Sequence, residues 1–165
     1  MDIHQIECPH CPRNRLIKFI DVVDHLKKKH KVNKHDMSPY GQVRWSVSWP
    51  LRLKNASTMI VDLEKATFLL RIILLRNTVY IWVNMLGNKE EADKFEVRIE
   101  LSPEDKNDTS IICRRKVYSA DMTKKDILQE PSNTLKVVKS MVEELTSIKL
   151  ERRVLYIDFQ ILRLY

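Results

Sequence analysis

The chain has 165 residues, with 29 Lys+Arg, 22 Asp+Glu, five His, three Cys, two Gly and a formal net charge of +7. That length suits one main domain with a small appendage, and 44% apolar residues can fill a core. Long apolar runs argue against disorder, so few Gly and Cys exclude a collagen or a disulfide scaffold, and no uncharged apolar window of ~18 residues marks a membrane span. The start, MDIHQIECPHCPRNR, lacks the apolar stretch of a signal peptide. A soluble, intracellular protein is expected, cytoplasmic or nuclear.

Chemistry is unevenly placed. His4, His10, His25, His30 and His35 all lie in the first 35 residues, as do Cys8 and Cys11; only Cys113 stands beyond. Metal or acid–base work is therefore expected at the N-terminus alone. The spacing Cys8-x2-Cys11-x13-His25-x4-His30 follows the two-Cys, two-His template for zinc. A two-residue gap lets one turn, stiffened by Pro9 and Pro12, aim both thiolates at one ion. Two imidazoles complete a tetrahedron with no open position, so the Zn²⁺ is expected to be structural.

Leu16, Phe19, Ile20, Val22, Val23 and Leu26 supply a small apolar core, and Asp21 stands where it can cap a helix ending near His30. Residues five apart on an ideal helix are rotated by ~140° beyond one turn, so His25 and His30 share a ligand face only if the last turn loosens. The Cys pair as a redox motif would need a βαβ context, which the pattern lacks. A finger with Lys27, Lys28, Lys29, Lys31 and Lys34 could meet nucleic acid. However, one finger covers only ~3 bp and no second follows, so a solvated lysine face is expected instead.

Residues 1–34 are thus assigned to a zinc finger, 35–42 to a linker with turn chemistry, and 43–165 to a second domain. There, period-two patterning dominates. Val43, Trp45, Val47 and Trp49 alternate with Arg44, Ser46 and Ser48; further strands are expected over 59–63, 68–75, 78–86, 95–101, 110–118 and 154–164. Breaks fall at Asn55, Arg76-Asn77, Gly87-Asn88 and Ser102–Asp108. Leu135, Val138, Met141, Val142, Leu145 and Ile148 recur at helical spacing, which predicts a helix over Ser132–Leu150 capped by Ser132 or Asn133.

Seven strands and one helix favour an antiparallel β-sandwich. No His is available as a general base in this part, and its acidic pairs read as solvated charge. Trp45, Trp49, Tyr80, Trp82 and Phe95 read as core, and Cys113 as a buried free thiol. No catalytic constellation emerges.

The run Val23-Asp-His25-Leu-Lys-Lys-Lys-His30 resembles the end of the second zinc finger of seven-in-absentia ubiquitin ligases. Gly41-Gln-Val43-Arg-Trp45 resembles the opening strand of their substrate-binding domain. Phe68-Leu-Leu-Arg-Ile, Val83-Asn-Met-Leu-Gly87, Ala92-Asp-Lys-Phe95 and Arg98-Ile-Glu-Leu101 resemble its central strands. The likeness runs over roughly residues 5–120, through the order and spacing of these motifs. It implies a mainly β fold: a TRAF-like antiparallel β-sandwich with one helix, preceded by a small zinc finger.

By the same resemblance the chain binds protein partners or extended, degron-like peptides and forms a homodimer or a heterodimer with a related ligase. Trp45 looks like the family's groove-lining Trp, and Val47 stands where an apolar groove residue sits. The family's ligases carry a RING ahead of this region, and these residues lack its eight ligands. Pro50–Lys65 is also longer than the family's usual connection. The expectation is a zinc-containing binding module of the ubiquitin pathway without ligase activity of its own. The alternatives are a component of an active ligase through a full-length partner, or nucleic-acid binding by the single finger.

Overall fold

The structure, a computed structural model, describes residues 5–8, 10–11, 15–51, 56–104, 109–129, 131–149 and 152–165. His4, Pro9, Pro12, and the breaks expected at Asn55 and over 105–108, lie outside the described residues. The finger comprises β1 (Gln5–Glu7), β2 (Leu16–Lys18), a 3-10 turn over Phe19–Asp21, and α1 (Val22–His30). Next come β3 (Lys34–Asp36), β4 (Gln42–Trp49), β5 (Ala56–Leu63), β6 (Ala66–Leu75) and β7 (Thr78–Met85). A short α2 (Lys89–Ala92) leads to β8 (Phe95–Ser102), β9 (Ile111–Lys116) and β10 (Tyr118–Ser119). The chain closes with α3 (Lys124–Gln129), β11 (Leu135–Val138), α4 (Lys139–Glu144), β12 (Ser147–Lys149) and β13 (Arg152–Arg163).

The fold is mainly β, as the alternating pattern predicts. One sheet runs β3-β5-β6-β7, with β10 and β11 both pairing to β7; the other runs β4-β13-β8-β9, with β12 on β13. Most pairs are antiparallel, while β3–β5 and β10–β7 are parallel. The sheets pack face to face because inward positions alternate. Trp45, Val47, Val97, Ile99, Leu101, Leu155, Ile157 and Phe159 of one meet Met59, Val61, Phe68, Leu70, Ile72, Ile81 and Val83 of the other. Phe68 and Phe95 meet edge to face at 5.2 Å. Val117 is where the chain leaves one sheet and, as β10, joins the other.

The helix expected over Ser132–Leu150 does not form. The segment opens in a 3-10 turn over Pro131–Asn133, continues as β11, antiparallel to β7 from Leu135↔Ile81 to Val138↔Thr78, and among its described residues only Lys139–Glu144 is α-helical. The stripe itself shows why. Leu135 and Val137 are buried with Lys136 and Val138 exposed, a period of two, and Met141 is also exposed. The edge of β7 offers backbone partners that local spacing cannot reveal, and two adjacent valines suit that slot. Neither expected cap serves: Asn133 Oδ1 instead accepts from the Lys116 N–H at 3.4 Å.

The segment expected as a linker contains β3, which pairs in parallel with Ile60–Asp62 of β5. Gly41 follows, with φ +68°; a Cβ there would lie 2.3 Å from the Ile161 carbonyl oxygen, so this turn requires glycine. Of the other expected core groups, Trp82 packs on the opposite face of its sheet, with Ile73, Tyr118 and Ile127. Cys113 is a free thiol and only half-buried.

The finger rests on that same outer face. Ile6, Cys8, Ile17, Val22 and Leu26 pack with Ile60, Leu69 and Ala120 of the sandwich. Beside this contact lies Arg71, whose guanidinium burial pushes down to about 10. It sits 5.0 Å over the Trp82 ring and donates to Asn84 Oδ1 at 3.4 Å. Asn84 in turn accepts from Trp82 Nε1 and donates to the Ser119 carbonyl, so the buried polar cluster is held from both sides.

Candidate metal centre

Cys8 directly follows β1 and Cys11 lies three residues on, while α1 carries His25 and His30. The last turn of α1 is wider than an α-turn: the Lys31 N–H donates to the Leu26 carbonyl, five residues back. The Val32 N–H reaches the same oxygen at 3.2 Å, and Lys31 adopts a left-handed φ of 55°. This loosening brings two histidines five residues apart onto one side. Asp21 precedes α1 at the N-cap position, but its side chain makes no capping bond.

The four ligand atoms lie within 4.8 Å of one another. His25 Nε2 and His30 Nε2 are 3.2 Å apart; Cys11 Sγ is 3.3 Å from each, and Cys8 Sγ is 3.3 Å from His30 Nε2. Zinc bonds of ~2.3 Å to sulfur and ~2.0 Å to nitrogen make tetrahedral edges of roughly 3.3–3.8 Å. The tetrad fits a zinc ion, and with two thiolates and two imidazoles it fits a structural one. Cys8, Cys11, His25 and His30, the residues named by spacing, are the ones brought together.

Burial pushes the Cys8 thiol up. Burial, then His30, Arg15 and Lys29, hold His25 below the usual histidine range. His10 adds its ring against His30, with centroids 5.3 Å apart. No spacing rule singles it out.

Trp45 and Val47 are buried in the sandwich core, and both also line a cleft of about 770 Å³ beside the metal centre. Its walls are the finger's exit (Lys29–Asn33), β4 (Arg44–Ser48) and the start of β5 (Ala56–Met59). Backbone alternation shows what those strands present. The Ile161 N–H donates to the Gly41 carbonyl at 2.8 Å, which makes Gly41–Ile161 a hydrogen-bonded pair. Alternation then directs the N–H and C=O groups of Val43, Trp45 and Val47 to β13, and those of Arg44, Ser46 and Ser48 to the open side. Gln42 agrees: its N–H goes to Ser38 Oγ at 3.1 Å and its carbonyl to the Ser38 N–H at 3.0 Å.

The outer edge of β5 is covered only in part. Ile60 N–H donates to the Asn33 carbonyl and the Asp62 carbonyl accepts from Met37, but β3 stops short of Thr58. Among the described residues, two incomplete edges therefore face one cleft. Sequence reasoning found Trp45 and Val47 here. It read Lys29 and Lys31 as part of a solvated lysine face and did not single out Arg44 or Thr58; the fold brings all four to this cleft.

Among the described residues, no helix is long and apolar enough to cross a membrane. A scan against family models finds no match to this chain, and a search of curated proteins finds none.

Proposed function

We propose that the chain is a zinc-containing, TRAF-like interaction module, similar to the substrate-recognition part of seven-in-absentia ubiquitin ligases. It binds extended, degron-like peptides or protein partners in ubiquitin-dependent degradation, in the cytoplasm or nucleus. The observation that supports this reading is the edge of β4 at Ser46 and Ser48, unpaired among the described residues, beside Trp45 and Val47 in the cleft. An extended peptide adds to such an edge through main-chain hydrogen bonds, while neighbouring pockets take alternate side chains. Zinc serves as scaffold: by holding α1 it fixes the finger's exit along the cleft.

Ser46→Pro tests the reading, because it removes an N–H directed to the open side and leaves the β13 ladder intact. Edge strands tolerate proline at such positions. Binding to an array of extended peptides is expected to fall at least about tenfold, the equivalent of one hydrogen bond of the kind neutral backbone groups make, with Tm little changed. Undiminished binding would overturn strand addition. Ubiquitin discharge from a charged conjugating enzyme by the purified chain alone would overturn the reading as a module without ligase activity.

A further inference from the structure

The walls of the cleft are of one charge sign. Lys29 and Lys31 come from the finger and Arg44 from β4; among the described residues no Asp or Glu lines it. Arg44 is held in place, with its guanidinium 4.6 Å over the Tyr156 ring and Nε 3.7 Å from Asp158 Oδ1. Lys28 likewise pairs with Asp24 at 2.9 Å on the exposed side of α1, and Lys34 with Asp62, whereas Lys29 and Lys31 make no ion pair among the described residues. The lysine run is thus divided: part is matched within the chain, and part is aimed at the cleft.

Polar side chains also line the cleft beside its buried apolar ones. Ser46, Ser48 and Ser57 are among them, next to Thr58, which is more than nine-tenths buried. Thr58 Oγ1 has no hydrogen-bond partner among the described residues. A buried hydroxyl without a partner is costly, and a bound polar group would satisfy it.

Building on the proposed strand addition, we infer that this cleft selects an acidic extended peptide, and that the zinc finger supplies two of its three cations, Lys29 and Lys31, on which the selectivity depends. Peptide main chain would pair along β4 while Asp or Glu side chains reach the three cations. The backbone edge favours a peptide over a nucleic acid, which has no strand to add. The finger is then part of the recognition surface and not only a neighbour of it.

The test uses the zinc-loaded full chain and three probes. Two are synthetic peptide pools of equal length and identical apolar positions, with Asp/Glu at the polar positions in one and Asn/Gln in the other; the third is single-stranded RNA. The acidic pool is expected to bind about tenfold more tightly at low salt, a preference that shrinks at high salt. Lys29→Glu with Lys31→Glu should abolish the preference while the neutral pool still binds, with zinc content checked by native mass spectrometry. Ser46→Pro should weaken both pools alike.

Equal binding of the two pools overturns the charge selectivity and leaves strand addition standing. A preference that survives the double lysine variant overturns the finger's role. RNA binding with neither pool bound overturns this inference and the proposed function together.

Discussion

The finger keeps its fold with a handful of its own apolar side chains, Ile6, Ile17, Val22 and Leu26, and leaves Leu16 and Ile20 exposed. The sandwich interleaves two full sheet faces and buries Phe68, Phe159, Ile99 and Leu101 to 1% exposure or less. A core that small cannot offset the entropy of ordering its chain, so the finger depends on its metal tetrad and on the sheet beneath it. The sandwich has no such dependence. The metal centre is therefore a local stabiliser and the sandwich a global one, and the two should fail in different ways.

Metal removal should break the comparison most visibly. Structural zinc contributes on the order of ten kcal/mol to small fingers, so a chelator, or Cys8→Ser with His25→Ala, should unfold residues 5–30 and leave the sandwich strands intact. Hydrogen exchange would read this as loss of protection confined to α1 and β1. Protection lost throughout, or nowhere, would contradict the division. Acid should act in the same direction, because metal binding requires thiolates and burial already pushes the Cys8 thiol up. Zinc retention should therefore fall as pH falls.

A core cavity should produce the opposite pattern. Phe68→Ala removes a fully buried ring that meets Phe95 edge to face, and about 3–5 kcal/mol of stability should go with it. Chemical denaturation should show one cooperative transition at lower midpoint. A finger that keeps its protection after the sandwich melts would show that it does not need the sheet. The smallest expected effect sharpens the scale: Asn88→Ala removes a capping box with Glu91 at the start of α2, costing about 1 kcal/mol, read as a slightly lowered Tm with zinc binding unchanged.

The metal centre was legible because its signal is local: two thiols on one turn and two imidazoles on one short helix. Even the required loosening of the last turn follows from the five-residue interval. Strands β4, β8 and β13 were legible for a similar reason, since each has a buried face that imposes a period of two. The segment 132–150 was not. Its apolar spacing fits a helix locally, and what overrides it is the vacant edge of β7, some fifty residues away in sequence. The cleft was only half legible. Trp45 and Val47 came from a motif resemblance, whereas Lys29, Arg44 and Thr58 meet only after the finger has docked and both sheets have formed.

The docking of the finger also bears on what the chain does when zinc is scarce. Ile60 and Leu69 are fully buried in a contact that includes Ile6, Ile17, Val22 and Leu26. A chain that loses its metal would uncover this apolar strip on a sheet that is otherwise intact. Strips of that kind adhere to one another, so zinc depletion is expected to increase self-association. Light scattering after chelation would detect the change before any strand melts. In this sense the tetrad guards the colloidal behaviour of a domain that contains none of its ligands.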